Sequence, residues 1–182
     1  LKAAGSAYVI ARVGDLRDSA LIKVKREGDV IASFYRQGET WSNGAALDGD
    51  GRVYLLNTRP SELIALNADL SLRWVGGIKE ALVTPMVGTD GNIYYSAASQ
   101  TGAFSPAGAV LWRDSLGNME SAPTMDAAGN TYGINYQRQV TRYDQSGQRT
   151  ALFSTWIPDV RVPPVLLQDS ILVYTDRARA TF

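Results

Sequence analysis

Short apolar runs recur along the whole chain, separated by turns rich in glycine, proline and aspartate. The stretch VGTDGNIYYSAASQTGAFSPAGAVLWRD shows the pattern best, with two turns, TDG and SPAG. Glycine adopts the positive φ of a tight hairpin turn, and proline presets the φ of a turn residue. With the residues just before it, the stretch predicts four strands, at about 84–88, 92–97, 102–105 and 109–113. No segment combines a 3.6-residue period with helix caps, so we expect very little helix.

A period close to 40 residues orders these runs. A Gly-x-x-Tyr motif and a looser fourth copy end at Tyr54, Tyr94, Tyr132 and Tyr174. A closing aromatic with the same period stands at Phe34, Trp74, Trp112 and Phe153. The turn before that aromatic holds Gly28, Leu70, Gly108 and Gly147. Because independent marks share one period, the chain is predicted to be a repeat protein.

The spacing between that turn and the closing aromatic also predicts strands. It is four residues in two units and six in the other two. Side chains alternate faces along a strand, so both even spacings keep the aromatic on one face. Prolines at 85, 123 and 163 stand ahead of the first apolar run of three units.

Four short strands in about 40 residues are typical of one β-propeller blade. We therefore expect an all-β chain in which residues 1–182 form a single β-propeller segment of four-stranded antiparallel blades. The predicted blades cover about 7–40, 41–80, 81–118 and 119–160, with a partial blade at 161–182. The first blade begins at its second strand, with later strands at about 20–25 and 30–35. The partial blade supplies strands at about 163–168 and 170–175.

An arc of about four and a half blades would leave an apolar blade face at each end, which favours aggregation. Three arrangements would cover these faces. The chain is a segment of a larger seven- or eight-blade ring, an expectation that the absence of an initial Met favours. Two chains pair as a homodimer into one ring. The strand at 163–168 completes the first blade of a small closed ring.

The recurring pattern Pro-x-x-x-x-(Asp)-Gly-x-x-Tyr, a second turn and then Gly-x-x-x-Trp resembles the PQQ-like repeat of the quinoprotein-type β-propellers. PMVGTDGNIYYSAASQTGAFSPAGAVLW carries the pattern best. Gly108 and Trp112 match the turn glycine and the closing Trp of that repeat. Leu70 replaces the glycine in another unit. The resemblance implies that the closing aromatics pack between neighbouring blades: Phe34, Trp74, Trp112 and Phe153.

That family contains quinone-dependent dehydrogenases and also scaffolds, such as an outer-membrane assembly lipoprotein and many cell-surface proteins. The dehydrogenases resemble one another in a vicinal Cys pair over the cofactor and in a complete eight-blade ring. This chain has no Cys. The resemblance therefore implies the non-enzymatic scaffold type, and we expect no cofactor.

Composition excludes several kinds of chemistry within these 182 residues. Eighteen basic residues balance eighteen acidic ones, so no overall field favours nucleic acid. No apolar run reaches the ~18 residues of a membrane span, and we expect no membrane insertion. His and Cys are both absent, which excludes a Ser-His-Asp triad and the usual ligands of transition metals. We therefore expect no catalytic residue and no metal site.

The inter-blade links are the best candidates for partner binding, because propellers place functional loops on their rims. Equivalent links bring Lys79, Glu80 and Glu120 to one rim by repeat position. The longest link, STWIPDVRVPP, adds Trp156, Asp159 and Arg161. An aromatic residue beside an arginine suits an interface hot spot, although Trp156 is also suited to covering the next blade. The LDGDGRVY turn resembles the start of a calcium loop, but arginines stand at the fifth and twelfth positions.

Two functions remain open at this point. The first is a structural or protein-binding propeller module of an extracytoplasmic protein (periplasmic, cell-surface or secreted). Its partner is another protein or the remaining blades of a larger propeller. The second is a fragment of a carbohydrate-binding or quinone-dependent enzyme propeller, with its site mostly outside this chain.

Overall fold

The structure is a computed structural model of the chain. The residues it describes are 5–13, 16–24, 33–34, 36, 40–80, 83–116, 119, 121–154, 163–167, 171–175 and 180–181. They belong to two compact units, Leu1–Tyr35 and Arg36–Phe182. The smaller unit contains an antiparallel hairpin of β1 (Gly5–Val13) and β2 (Leu16–Val24). The strand predicted at about 30–35 lies mostly outside the described residues.

Three four-stranded antiparallel sheets make up most of the larger unit. Sheet I consists of β3 (Thr40–Leu47), β4 (Val53–Arg59), β5 (Ser61–Leu66) and β6 (Leu72–Gly77). Sheet II consists of β7 (Met86–Val87), β8 (Ile93–Ala97), β9 (Gln100–Phe104) and β10 (Val110–Asp114). Sheet III consists of β11 (Thr124–Met125), β12 (Thr131–Ile134), β13 (Gln139–Tyr143) and β14 (Arg149–Ser154). The predicted all-β class with four-stranded antiparallel sheets is confirmed, and the described residues contain no helix.

A fourth sheet, sheet IV, has three strands: β15 (Val165–Leu167), β16 (Ile171–Thr175) and β17 (Ala180–Thr181). The first two correspond to the strands expected in the partial blade. The short β17 was not predicted, because two residues are too few to show alternation. The blade boundaries drawn from the repeat stay a prediction.

In sheets I to III, a residue with positive φ lies in the turn before the fourth strand. Gly108 and Gly147 have φ of 87° and 83°. Leu70 stands at the same position in sheet I with a φ of 65°, in a region where a Cβ costs roughly 1–2 kcal/mol. The backbone N–H of Leu70 still donates to the carbonyl oxygen of Asn67 at 2.8 Å, so the turn keeps its shape without glycine.

A buried cluster lies between sheets I and II. Tyr54, Leu56 and Leu63 of sheet I pack in one cluster with side chains of sheet II. Tyr95 and Phe104 are among those partners, with their rings 5.6 Å apart. Apolar positions that alternate along β4, β5 and β8 supply most of this cluster, as expected for strands with buried faces.

Two tryptophans lie against the sheet that follows their own. Trp74, on β6, stacks on Phe104 of sheet II with ring centroids 5.6 Å apart, and its Nε1 donates to the carbonyl oxygen of Pro106 at 3.0 Å. Trp112, on β10, stacks on Tyr143 of sheet III at 5.2 Å and 12° between the ring planes. Large aromatic surfaces therefore connect sheet I to II and sheet II to III.

The turn glycines also make room for these rings. A Cβ added at Gly108 would lie 2.9 Å from the ring of Trp74, and one added at Gly147 would lie 2.5 Å from the ring of Trp112. Both glycines thus combine a left-handed φ with contact to the preceding tryptophan.

Phe153 occupies a different place from the two tryptophans. Trp112 pairs with Ala103, in the row that contains the strand tyrosine of sheet II. In sheet III the corresponding row ends at Thr150, and Phe153 pairs with Val140 instead. Six residues rather than four after the turn glycine move the aromatic further along its strand. Phe153 is 51% exposed, and inter-blade packing of Phe34 and Phe153 stays a prediction.

Candidate functional site

The two ends of each four-stranded sheet carry different connections. At the turn end lie the hairpins between the first and second strands and between the third and fourth. At the link end lie the hairpins between the second and third strands and the links that lead to the next sheet. The binding residues predicted from the sequence belong to these links.

One carboxylate shapes the first hairpin at the turn end of sheet I, between β3 and β4. The Oδ1 atom of Asp48 accepts hydrogen bonds from the backbone N–H groups of Asp50 and Arg52, at 3.0 and 2.9 Å. Its Oδ2 atom accepts one from the hydroxyl of Tyr54 at 3.0 Å. Asp50 forms an ion pair with Arg52 at 2.7 Å. The carboxylates that resemble a calcium loop in the sequence are therefore engaged in shaping a hairpin.

The same pairing recurs in the next two sheets. Tyr132 donates to Asp126 at 2.8 Å, with the same spacing as in sheet I. In sheet II the carboxylate stands two residues later, at Asp90, and Tyr94 donates to it at 2.7 Å. Gly88 occupies the vacated position, where an added Cβ would lie 2.5 Å from an oxygen of Asp90. The contact between an aspartate and the strand tyrosine thus recurs in all three sheets, although the aspartate does not stand at the same position in each.

In sheets I and III this contact shifts the pKa of both partners. Burial opposes ionisation of Asp48, but hydrogen bonds from the Arg52 N–H and the Tyr54 hydroxyl outweigh it, so its pKa lies below the ordinary value. Burial likewise opposes ionisation of Asp126, and bonds from Asn130 and Tyr132 lower its pKa. Burial and the adjacent carboxylate raise the pKa of Tyr54 and Tyr132. The pairs favour ionised aspartate beside neutral tyrosine, which suits a structural role.

The link from sheet I to sheet II carries Lys79 and Glu80, and both are exposed. Glu80 has a φ of 50°, and its carbonyl oxygen accepts a hydrogen bond from the N–H of Ala98 at 3.0 Å. Ala98 belongs to the hairpin between β8 and β9. The link is therefore tied to the sheet that follows, with two charged side chains on its surface.

The other predicted binding residues lie outside the described part of the chain: Glu120, Trp156, Asp159 and Arg161. In the link from sheet II to sheet III, Met119 forms a β-bridge with Asn135. Thus two predicted residues, Lys79 and Glu80, lie together on one anchored link. The grouping of the other four with them stays a prediction.

A polar cluster between sheets II and III was missed by the sequence reasoning. The hydroxyl of Tyr143 donates to Oδ2 of Asp114 at 3.0 Å, and the Nε atom of Arg149 lies 3.5 Å from the same oxygen. Burial and the neighbouring carboxylate raise the pKa of Tyr143. The sequence signal was a pair of differences between repeats. Asp114 occupies the position that Gly76 has one repeat earlier, and Tyr143 occupies the position that Phe104 has one repeat earlier.

A cleft of about 520 Å³ opens beside this cluster, at the link end. Its wall contains Ser115 and Leu116 of the link and, from sheet III, Gln137, Gln139, Arg149 and Ala151. Five of its eight lining residues carry an amide or a hydroxyl group. Its volume falls within the ~300–1,000 Å³ range usual for small-molecule sites.

Neither the cleft nor the turns group ligands for a metal. Within the described ranges, no three Asp or Glu side chains are grouped in a way that could hold a metal ion. Among those same residues, no helix is long and apolar enough to cross a membrane.

No protein-family model matches the chain, and no curated protein matches it. Solved structures do. BamB from Moraxella catarrhalis has a TM-score of 0.62 and 17% identity, over 98% of this chain and 62% of that one. A catalytically inactive virginiamycin B lyase from Staphylococcus aureus, solved with quinupristin, has a TM-score of 0.61 and 14% identity, over 94% and 54%. A protein of unknown function from Bacteroides caccae has a TM-score of 0.55 and 13% identity, over 91% and 64%.

The chain thus spans between about half and 64% of the length of these proteins. Identities this low show a shared fold and not a shared activity. BamB and virginiamycin B lyase are β-propeller proteins, which agrees with the repeated four-stranded sheets described above. The chain therefore has the β-propeller fold, built of successive four-stranded antiparallel sheets.

Proposed function

We propose that this chain is a non-enzymatic, protein-binding part of a β-propeller, and that its partner contacts lie at the link end. One observation carries the proposal: the link after sheet I is anchored by its backbone while its charged side chains face solvent. The Ala98–Glu80 hydrogen bond holds the backbone, and Lys79 and Glu80 are exposed beside it. A pre-ordered loop loses little conformational entropy on binding.

Another exposed side chain at the link end, on sheet III, supports an interface. Tyr136, in the hairpin between β12 and β13, is 51% exposed. Tyrosine combines a large apolar area with a hydroxyl and is enriched at protein interfaces. Glu120, Trp156, Asp159 and Arg161 belong to the same surface in this proposal, through repeat equivalence of the links.

The non-enzymatic reading rests on chemistry available in this segment. The S. aureus lyase described above is made inactive by replacing one histidine with alanine, whereas this chain contains no histidine. The turn-end carboxylates are engaged by their own hairpins. We further propose an extracytoplasmic or cell-surface location, on the resemblance to a repeat family with many such scaffolds.

Site-specific photo-crosslinking in the native host tests the proposal. A benzophenone side chain is placed at Glu80, and a matched control is placed at Asp69, which is exposed at the turn end. We expect a discrete heavier adduct from position 80 and none from position 69. The captured protein is then purified and titrated against the chain, where Lys79→Glu combined with Glu80→Lys should weaken binding at least about tenfold, roughly 1.4 kcal/mol. Equal adducts at both positions, or unchanged affinity in the double variant, would refute the proposal.

A further inference from the structure

Two equivalent junctions in this chain are packed differently at the link end. Ile78 and Leu116 each stand four residues after the tryptophan that closes their sheet. Ile78 is 8% exposed and belongs to the buried cluster between sheets I and II. Leu116 is 66% exposed. The side chain that fills the first junction is therefore turned out to solvent at the second.

The facing sheets differ at the same level. In sheet II, Tyr95 and Arg113 lie in one cross-strand row. Tyr95 is buried, and Arg113 donates to the carbonyl oxygen of Gly77 at 2.7 Å while its guanidinium lies 5.5 Å from the ring centre of Phe104. These two side chains cover the link end of the first junction.

The matching row of sheet III holds Gly133 and Ala151 in place of the tyrosine and the arginine. Met119 packs against Gly133 and fills the space above it. The arginine nearest this place is Arg149, whose Nη1 atom donates to the carbonyl oxygen of Leu116, as Arg113 donates to that of Gly77. A cleft of about 520 Å³ lies beside Ala151 and Leu116, whose counterparts at the first junction are Arg113 and Ile78.

The cleft offers hydrogen-bonding groups that are not yet committed. Within the described residues, the side-chain amide of Gln137, the Nε2 atom of Gln139 and the hydroxyl of Ser115 make no hydrogen bond. Arg149 brings the positive charge, but Asp114 lies 3.5 Å from its Nε atom, and its Nη1 atom donates to the carbonyl oxygen of Leu116 at 3.1 Å. The cleft wall thus presents neutral hydrogen-bond donors and acceptors, and its one arginine, Arg149, is paired with Asp114.

We propose that this cleft binds a neutral, hydroxyl-rich ligand, a short saccharide. A primary amide donates through nitrogen and accepts through oxygen, so Gln137 and Gln139 can each bond adjacent hydroxyls. The paired charge of Arg149 does not favour an anion, and the free amide and hydroxyl groups of the wall favour a ligand that forms hydrogen bonds. Leu116 at the cleft and Tyr136 next to Gln137 are exposed and offer apolar surface to the C–H face of a sugar ring.

The test titrates the 182-residue chain with three neutral trisaccharides, maltotriose, cellotriose and triacetylchitotriose. Binding is followed by ¹H–¹⁵N NMR of the glutamine side-chain amides and by calorimetry. We expect saturable binding of at least one trisaccharide, with a Kd between about 10 μM and a few mM, equivalent to roughly −7 to −3.5 kcal/mol. The amide resonances of Gln137 and Gln139 should move, and those of Gln148, on an exposed turn at the opposite end, should not.

Three variants separate the cleft from the rest of the surface. Ala151→Arg restores the residue that fills the first junction and should weaken binding at least about tenfold, 1.4 kcal/mol. Gln137→Ala removes an amide from an exposed hairpin, so it should weaken binding without unfolding the protein. Gln148→Ala is the matched control and should bind as the parent does. Thermal melts of all three establish that each is folded.

Three results would overturn the proposal. One is the absence of saturable binding of every trisaccharide to the folded parent chain. Another is equal affinity of the parent and the folded Ala151→Arg variant. The third is a preference of the cleft for an anion such as citrate or for an extended Gly-Ser peptide, either of which would assign it to a different class of ligand.

Discussion

Gly147→Ala tests whether the turn glycine is required by the tryptophan of the preceding sheet. Two costs add at this position. A φ of +83° costs a residue with a Cβ roughly 1–2 kcal/mol. The new Cβ would also lie 2.5 Å from the ring of Trp112, which is stacked on Tyr143 and has little room to move. Overpacking of this kind costs typically ~1–3 kcal/mol.

The two terms sum to roughly 2–5 kcal/mol, and the lower entropy of the unfolded alanine chain offsets about 0.4–1 kcal/mol of that. We therefore expect Gly147→Ala to lower the free energy of unfolding by about 2–4 kcal/mol. Gly91→Ala is the matched control. Its φ is +77°, but the nearest atom to an added Cβ, from Pro106, lies 3.8 Å away. Only the backbone term applies there, so its cost should be about 1 kcal/mol.

Urea unfolding followed by far-ultraviolet circular dichroism measures both variants, with the m-value checked for constancy. A double-mutant cycle with Trp112→Ala isolates the ring contact, because in that background Gly147→Ala should cost no more than Gly91→Ala. Equal losses for Gly147→Ala and Gly91→Ala in the parent chain would show that Trp112 does not press on the turn.

Three further perturbations follow from the same contacts. Leu70→Gly should raise the free energy of unfolding by about 0.5–1 kcal/mol, since it relieves a left-handed φ at some cost in chain entropy; urea unfolding measures it. Tyr143→Phe should lower it by about 1–3 kcal/mol, because the buried hydroxyl donates to the Asp114 carboxylate; the same assay applies. Asp48 and Asp126 have lowered pKa values in the fold, so their ionised forms stabilise the folded state at any pH above their unfolded pKa. This stabilisation should disappear as the pH falls through their folded pKa. Melting temperatures measured across an acid pH series test this.

Each of these has its own control. Ala68→Gly changes an exposed residue of the same turn as Leu70 and should not stabilise the fold. Asp114→Asn combined with Tyr143→Phe should cost less than the sum of the single variants, and strict additivity would mean that the two side chains are not coupled. Tyr54→Phe removes one donor to Asp48 and should reduce the acid sensitivity; an unchanged pH profile would contradict the assignment.

The fold was predictable because the same sequence of turns and short strands recurs in each repeat. Turns with glycine at positive φ recur with the 40-residue period, and each is followed by a short strand. Register then follows from the turns, since a one-residue slip would expose every buried side chain of a strand. Departures inside the pattern did not change the outcome, as Leu70 shows by keeping the turn at a φ of 65°.

The candidate sites were harder to predict because they depend on residues that differ between repeats. Lys79 and Glu80 were predicted as binding residues from the position of their link; that role stays a prediction, and the structure shows only that the Ala98 N–H anchors the link. The cleft was not identified, although the replacement of Arg113 by Ala151 is visible when the repeats are aligned. A single small residue on a strand is too common a signal to indicate a site.

By itself, the sequence determined the unit: its strands, turn glycines and closing tryptophans follow from the pattern of residues within one repeat of about 40 residues. Only the tertiary structure decided how one unit meets the next. Tyr143 reaches Asp114 across 29 residues, and Leu116 is turned outward where Ile78 is turned inward. The physical reason is that junction packing depends on the combined shape of side chains from two sheets. No local pattern of apolar and polar residues contains that information.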